Sequence, residues 1–329
     1  GERAAARYVA ARLRAIGVED VALEPYRWPR THVWAQLPHL AASLSRRWWV
    51  RAAALASYEL DQSGRVQWVQ RFLPRGQGVN VVARIPPRSG RAERTFVLVA
   101  HLDAQRTGLI WHRRLIEGGA KRRLAKRSMT PAALGGGLAI LLPWRWLKAV
   151  MALALADTAT SPTVPGANDN ASGVAATIEV GRRVAAEPLD ATEVLLVFPG
   201  AEEAGMGGMR AFLAAHHLDP GTTFVLGLDT VGSGTPIVAE AEGALLPHRY
   251  AEDDVARVEG AQRWRIAAYT DPILARFAGL RAASVLSVGE HGMYTRYHRM
   301  DDLPEHVDLA CVARCAEIAE ATARAFASR

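Results

Sequence analysis

Glu193-Val-Leu-Leu-Val-Phe-Pro-Gly-Ala-Glu-Glu203 is the stretch on which the reading of this chain turns. Glu193 to Phe198 is a short apolar run rich in β-branched and aromatic residues, closed by Pro199-Gly200, which is the pattern of a buried strand. Two adjacent carboxylates, Glu202 and Glu203, follow directly. Like charges repel and a buried carboxylate is costly, so the pair needs a compensating partner, and a divalent metal is one. Matching groups follow other strand-like runs or sit in loops. They are His101 and Asp103 after Phe96-Val-Leu-Val-Ala100, Asp169 in Gly166-Ala-Asn-Asp-Asn-Ala-Ser-Gly173, Asp229 after Phe224-Val-Leu-Gly-Leu228, and His298 in Tyr297-His-Arg-Met-Asp-Asp302. Two histidines and three carboxylates, with one glutamate to spare, can hold two Zn²⁺ ions and supply a general base.

Outward from this stretch, strand and helix patterns alternate from residue 79 onward. Val79–Ile85 and Thr95–Ala100 read as paired strands joined by the polar turn Pro86–Arg94. Strands are further expected at Glu193–Phe198, Thr222–Leu228, Pro236–Ala239 and Ser284–Val288. Helices are expected at Glu2–Ile16, Ala171–Ala186, Gly207–His217, Asp271–Gly279 and Leu309–Ala327. The order predicts an α/β fold with three layers, a mostly parallel central sheet with helices on both faces. In such sheets ligands bind beyond the carboxyl ends of the strands, where these candidate ligands fall.

Length and hydropathy, with half the residues hydrophobic and mean hydropathy near zero, permit one large α/β domain or two modest ones, and the chain is read as a single domain over 1–329. The net charge of +7 is uneven. Between Arg106 and Asp157 ten Lys/Arg face only Glu117 and Asp157, a local +8, so the remainder carries 7 − 8 = −1. A nucleic-acid binder would spread its basic charge over a whole face, and no nucleic-acid partner is expected. Cys311 and Cys315, four apart on the last helix, read as small core residues.

Two stretches interrupt the pattern as insertions. One is Trp-rich, about 28–68. The other, about 105–165, opens basic with Arg113, Arg114, Lys121, Arg122, Arg123, Lys126 and Arg127 and turns apolar from Pro131 to Ala156. Eight of the nine tryptophans lie between residues 28 and 146, so the two stretches share a character. Pro143, Arg145 and Lys148 interrupt the apolar run, which argues against a membrane span of ~20 uncharged residues. Tryptophan beside Arg and Lys suits a lid packed on the domain, or contact of 105–165 with an anionic membrane surface.

Taken singly, the motifs have ordinary explanations. On a strand end, residues i and i+2 share a face, so Asp103 can fix the second ring nitrogen of a zinc-bound His101. A lone strand-end histidine is more often structural. Asp169-Asn170 could equally cap a helix, Asp229 could be a turn residue before Gly232, and His298 has neighbours in His291 and His306. Glu202-Glu203 is the hardest to explain as solvated charge.

Together, Val99-Ala-His-Leu-Asp103, Gly166–Gly173, Phe198-Pro-Gly-Ala-Glu-Glu-Ala-Gly205 with Gly208-Met-Arg-Ala-Phe212, Gly227-Leu-Asp229, and Tyr297-His298 with Asp302 resemble the co-catalytic dizinc aminopeptidases. Their relatives include glutamate carboxypeptidases and glutaminyl cyclases. The resemblance runs from about residue 79 to the C-terminus and includes the first helix. It implies that Asp169 bridges two Zn²⁺, that Glu203 and His298 complete one site and His101 and Asp229 the other, that Glu202 is the general base, and that Asp103 stands behind the ligands. The substrates it implies are peptides, cut at a free N-terminus by a metal-activated bridging water. It also leaves two alternatives: a single-zinc glutaminyl-cyclase-like acyltransferase, and a membrane-surface module that has lost catalysis. The chain departs from the family in the length of Gln105–Pro165, whose ends should place it over the pocket. Pro272 stands where histidine is frequent, so the oxyanion donor is open among Tyr269, Tyr294 and Tyr297.

Overall fold

Strands β4 (Thr192–Phe198), β3 (Arg94–Val99), β5 (Thr223–Leu228) and β9 (Arg281–Val288) lie side by side and parallel, and their buried apolar runs form the centre of the molecule. The computed structural model describes residues 1–116, 131–243, 245–289 and 292–328. β1 (Asp20–Pro29) and β2 (Arg75–Ile85) extend the sheet antiparallel beyond β4. At the other edge β6 (Thr235–Glu242) pairs antiparallel with β9, with β7 (His248–Arg249) and β8 (Gln262–Ile266) beside it.

The expected pairing of 79–85 with 95–100 does not form. β4 lies between them, so β2 borders β1 and β4 while β3 is flanked by β4 and β5. The residues explain the placement. Phe96 to Val99 are buried on both faces, as a central parallel strand requires. β2 still carries exposed Arg75, Gln77 and Arg84, which suits the antiparallel flank.

The α-helices of six residues or more among the described residues are α1 (Glu2–Ala15), α2 (Val33–Ala42), α3 (Trp48–Gln62), α4 (Pro131–Leu141), α5 (Arg145–Thr160), α6 (Gly173–Ala186), α7 (Gly207–Ala215), α8 (Pro272–Phe277) and α9 (Leu309–Ala327). α1, α6 and α9 cover one face of the sheet; α7 and α8 lie on the other. Phe96 stacks on Phe224 at 5.9 Å, and Phe326 of α9 leans onto both rings at 6.0 and 5.7 Å. Truncating one such ring would cost about 3–5 kcal/mol. Asp308 caps α9, its Oδ1 accepting from the N–H groups of Ala310 and Cys311 at 2.9 and 3.1 Å. Cys311 and Cys315 are buried thiols of this helix.

The two insertions join each other. α2 and α3 come from the first, α4 and α5 from the second, and they pack into one helical cap. Val33, Leu40, Ala139 and Leu155 form its core, and Tyr58 and Ala54 pack on Ile140. Lys121, Arg122, Arg123, Lys126 and Arg127 lie outside the described residues, as does His291. No helix among the described residues is long and apolar enough to cross a membrane.

Candidate metal centre

Three parallel neighbours, β4, β3 and β5, end at one edge of the sheet, and their following loops carry Glu202-Glu203, His101–Asp103 and Asp229. Asp169 arrives from the turn that opens α6. Asn170 ties that turn to β5: its Nδ2 donates to the Leu228 carbonyl at 3.0 Å, and its Oδ1 accepts from the Gly173 and Thr230 N–H groups, both at 3.1 Å. Gly173 permits the approach, since a Cβ there would lie 2.4 Å from the Leu228 oxygen. Asp302 holds the other side of the turn, accepting from the Asn168 and Asp169 N–H groups at 2.9 and 3.1 Å.

The five expected ligands converge in two groups that share Asp169. His101, Asp169 and Asp229 form one, and Asp169, Glu203 and His298 the other; within each, one donor atom per residue lies within 4.8 Å of the rest. His101 Nε2 is 3.3 Å from Asp169 Oδ1 and 3.8 Å from Asp229 Oδ1. His298 Nε2 is 3.1 Å from Asp169 Oδ2 and 3.4 Å from Glu203 Oε2. Even so, His298 Nε2 and Nδ1 and Glu203 Oε1 are buried without a hydrogen-bond partner among the described residues. Buried polar atoms that approach each other without bonding fit ligands aimed at a common cation.

The electrostatics agree. Burial pushes the carboxyl groups of Glu202, Glu203 and Asp229 above their ordinary range, and neighbouring acids add to the push on each. Burial also favours a neutral Asp169, but His101 and His298 outweigh it and hold that carboxyl below the usual range. At His298 burial opposes protonation, yet Glu203 and Asp169 raise the imidazole to about 9. A divalent cation would remove this conflict, because it needs the carboxylates ionised and the imidazoles neutral.

Asp103 acts differently from the expectation. His101 Nδ1 is 3.1 Å from the Asp103 backbone carbonyl and 3.6 Å from its carboxylate. That carboxylate instead accepts the N–H groups of Glu202 and Glu203, at 3.0 and 3.1 Å. The side chain therefore pins the two-glutamate loop, while the backbone carbonyl of the same residue orients the imidazole.

Several contacts were not legible from motif spacing. Gln105 Nε2 donates to Glu203 Oε2 at 2.9 Å, and His32 Nδ1 lies 2.8 Å from the Glu203 carbonyl. Trp111, from the second insertion, sets its ring edge-on to His298 at 4.3 Å, and Tyr297 stacks on the same imidazole at 3.6 Å. The described part of 105–165 thus reaches over the site, and a cavity of about 170 Å³ between cap and loops is lined by Trp111, Met151, Leu155, Glu202 and His298. Tyr269 donates its hydroxyl to Glu59 of α3, whereas the buried Tyr294 hydroxyl has no partner among the described residues. His306 is exposed, with Nδ1 3.0 Å from the Asp301 carbonyl.

Residues 147–323 match Peptidase family M28. The chain belongs to that family, a family of zinc metallopeptidases. The matched span takes in Asp169, Glu202, Glu203, Asp229 and His298; His101 and Asp103 lie outside it, and the fold brings them to the same place.

Solved structures share the fold. An aminopeptidase from Aneurinibacillus sp. strain AM-1 superposes with a TM-score of 0.57 at 15% identity, over 98% of this chain and 87% of that one. A glutaminyl cyclase from Bacteroides thetaiotaomicron gives 0.58 at 15%, over 97% and 87%. The zinc aminopeptidase BSAP from Bacillus subtilis gives 0.57 at 14%, over 98% and 88%. No curated protein matches the chain in sequence.

Proposed function

We propose that the chain is an aminopeptidase that removes N-terminal residues from peptides with two Zn²⁺ ions. The observation that carries this is the complete pair of ligand groups sharing Asp169. His101 and Asp229 would hold one ion, Glu203 and His298 the other, and Asp169 both. Bound zinc acidifies water and polarises a carbonyl.

The remaining chemistry belongs to the chain. Glu202 adjoins a ligand but is not needed in either group, and its burial among acids raises the proton affinity of its carboxylate. It serves as the general base, taking the proton of the attacking water and passing it to the leaving amine. Asp103 positions it through the loop N–H groups. Tyr294 lines the small cavity beside Asp169, Glu202 and Asp229, and its hydroxyl, without a hydrogen-bond partner among the described residues, is free to donate to a developing oxyanion.

Elemental analysis should find two zinc ions per chain. A panel of aminoacyl-p-nitroanilides should be hydrolysed, with activity lost to a chelator and restored by zinc. Full activity in a metal-free preparation would refute the reading. Because glutaminyl cyclases share the fold to the same degree, cyclisation of N-terminal glutamine is assayed alongside; one zinc with cyclisation alone would favour that class.

A further inference from the structure

The far end of the cap is built from two interhelical turns set side by side. One, residues 43–47, joins α2 to α3; the other, residues 142–144, joins α4 to α5. Arg51 links them: its Nε donates to the Leu141 carbonyl at 2.9 Å, and its Nη1 to the carbonyls of Ser45 and Arg46 at 3.0 and 3.1 Å. Lys148 is buried beneath, its Nζ donating to the carbonyls of Ala139 and Leu142 at 2.6 and 2.8 Å. Around this linkage stand large apolar side chains in the open. Trp48 is 72% exposed, Trp146 62%, Trp49 53% and Trp144 50%, with Leu44 and Leu141 beside them. Trp144 and Trp146 stack at 6.0 Å, and the Arg47 guanidinium lies 5.8 Å from the Trp49 ring.

Charge at this tip has one sign. Residues 41–51 and 138–150 contain Arg46, Arg47, Arg51, Arg145 and Lys148 and no Asp or Glu. Four exposed tryptophans in water need a covering partner. A second copy docked through the same patch would set these cations against each other. Tryptophan rings beside arginines suit the headgroup layer of a bilayer, where the ring bodies leave water and the guanidinium groups meet phosphate.

We propose that this two-turn tip docks on an anionic lipid bilayer, with Trp48, Trp49, Trp144 and Trp146 at headgroup depth and Arg46, Arg47 and Arg145 on the phosphates. Half of the surface comes from the first insertion, so it is not the property of 105–165 alone. Trp146 and Leu155, which lines the cavity, are nine residues apart on α5 and so about 13 Å along the axis. Docking therefore holds the candidate centre close to the membrane without burying it in lipid.

The test is flotation of the full chain with phosphatidylcholine vesicles with and without phosphatidylglycerol, at low and physiological salt. Binding should require phosphatidylglycerol and weaken with salt. Changing Trp48, Trp49, Trp144 and Trp146 together to Ser should abolish flotation. Arg46→Gln with Arg145→Gln should weaken it by about 25-fold, roughly fivefold per charge. Unfolding temperatures should stay near wild type in both variants, and the arginine pair keeps the proposal testable should the tryptophan variant misfold. Wild-type protein that stays unbound at low salt, or variants that float as it does, would overturn the proposal. So would a dimer in sedimentation velocity that the tryptophan variant dissolves, since the tip would then be a protein interface.

Discussion

Asp103→Ala separates two roles that one carboxylate could play. If its work were to orient His101, the variant would lose metal. The geometry assigns it the loop instead, through the N–H groups of Glu202 and Glu203 at 3.0 and 3.1 Å, while the His101 ring keeps the backbone carbonyl at 3.1 Å. Each N–H left without an acceptor costs about 1–3 kcal/mol. Asp103 is only partly buried, so water should replace part of this and leave about 2–3 kcal/mol against the aligned loop, some 30- to 150-fold in its population. The expected result is a fall in kcat/KM of ~10² with zinc content unchanged. Stopped-time p-nitroanilide kinetics and elemental analysis on the same sample measure both. Loss of zinc from Asp103→Ala would refute the assignment, and unchanged kcat/KM would show that the loop is held by other contacts.

The strand-end groups were legible because the chemistry and the fold coincide there. The runs ending at Ala100, Phe198 and Leu228 are short and apolar, each leads into acids or histidine, and parallel strands bring their ends to one edge. The neighbours of the ligands were not legible. Gln105 and Trp111 reach the site from an insertion with no strand period to align it, and His32 from another 70 residues away. The helices of both insertions are local elements, and nothing in a helical pattern encodes that α2 will lie on α5. The hairpin expected of 79–85 and 95–100 failed for a related reason: neighbours in sequence were taken as neighbours in space, although the fully apolar Phe96–Val99 demanded a strand on each side. β1 was missed because Pro25 and Pro29 break a run that the antiparallel edge of the sheet tolerates.

Two further outcomes are expected. Glu202→Gln should keep both zinc ions and substrate binding while kcat falls by ~10²–10⁴; a kcat near wild type would assign the base elsewhere. The second concerns Glu242, buried in β6, which accepts hydrogen bonds from Tyr250, from the Thr270 hydroxyl and from the Thr270 N–H, at 2.7, 2.6 and 2.8 Å; burial nonetheless raises its carboxyl to about 7 from an unfolded value of 4.5. Between those values the folded chain holds a proton that the unfolded chain releases, so this group's stabilisation is complete below about 4.5 and is lost as pH rises through about 7. At 1.36 kcal/mol per unit the loss is about 3 kcal/mol. Denaturant unfolding of the zinc-loaded protein across that range should show Glu242→Gln declining less than wild type by an amount of this order. Asp61, likewise raised to about 7 by burial, contributes equally to both proteins and cancels in the difference, so parallel curves would mean that Glu242 is ionised in the fold.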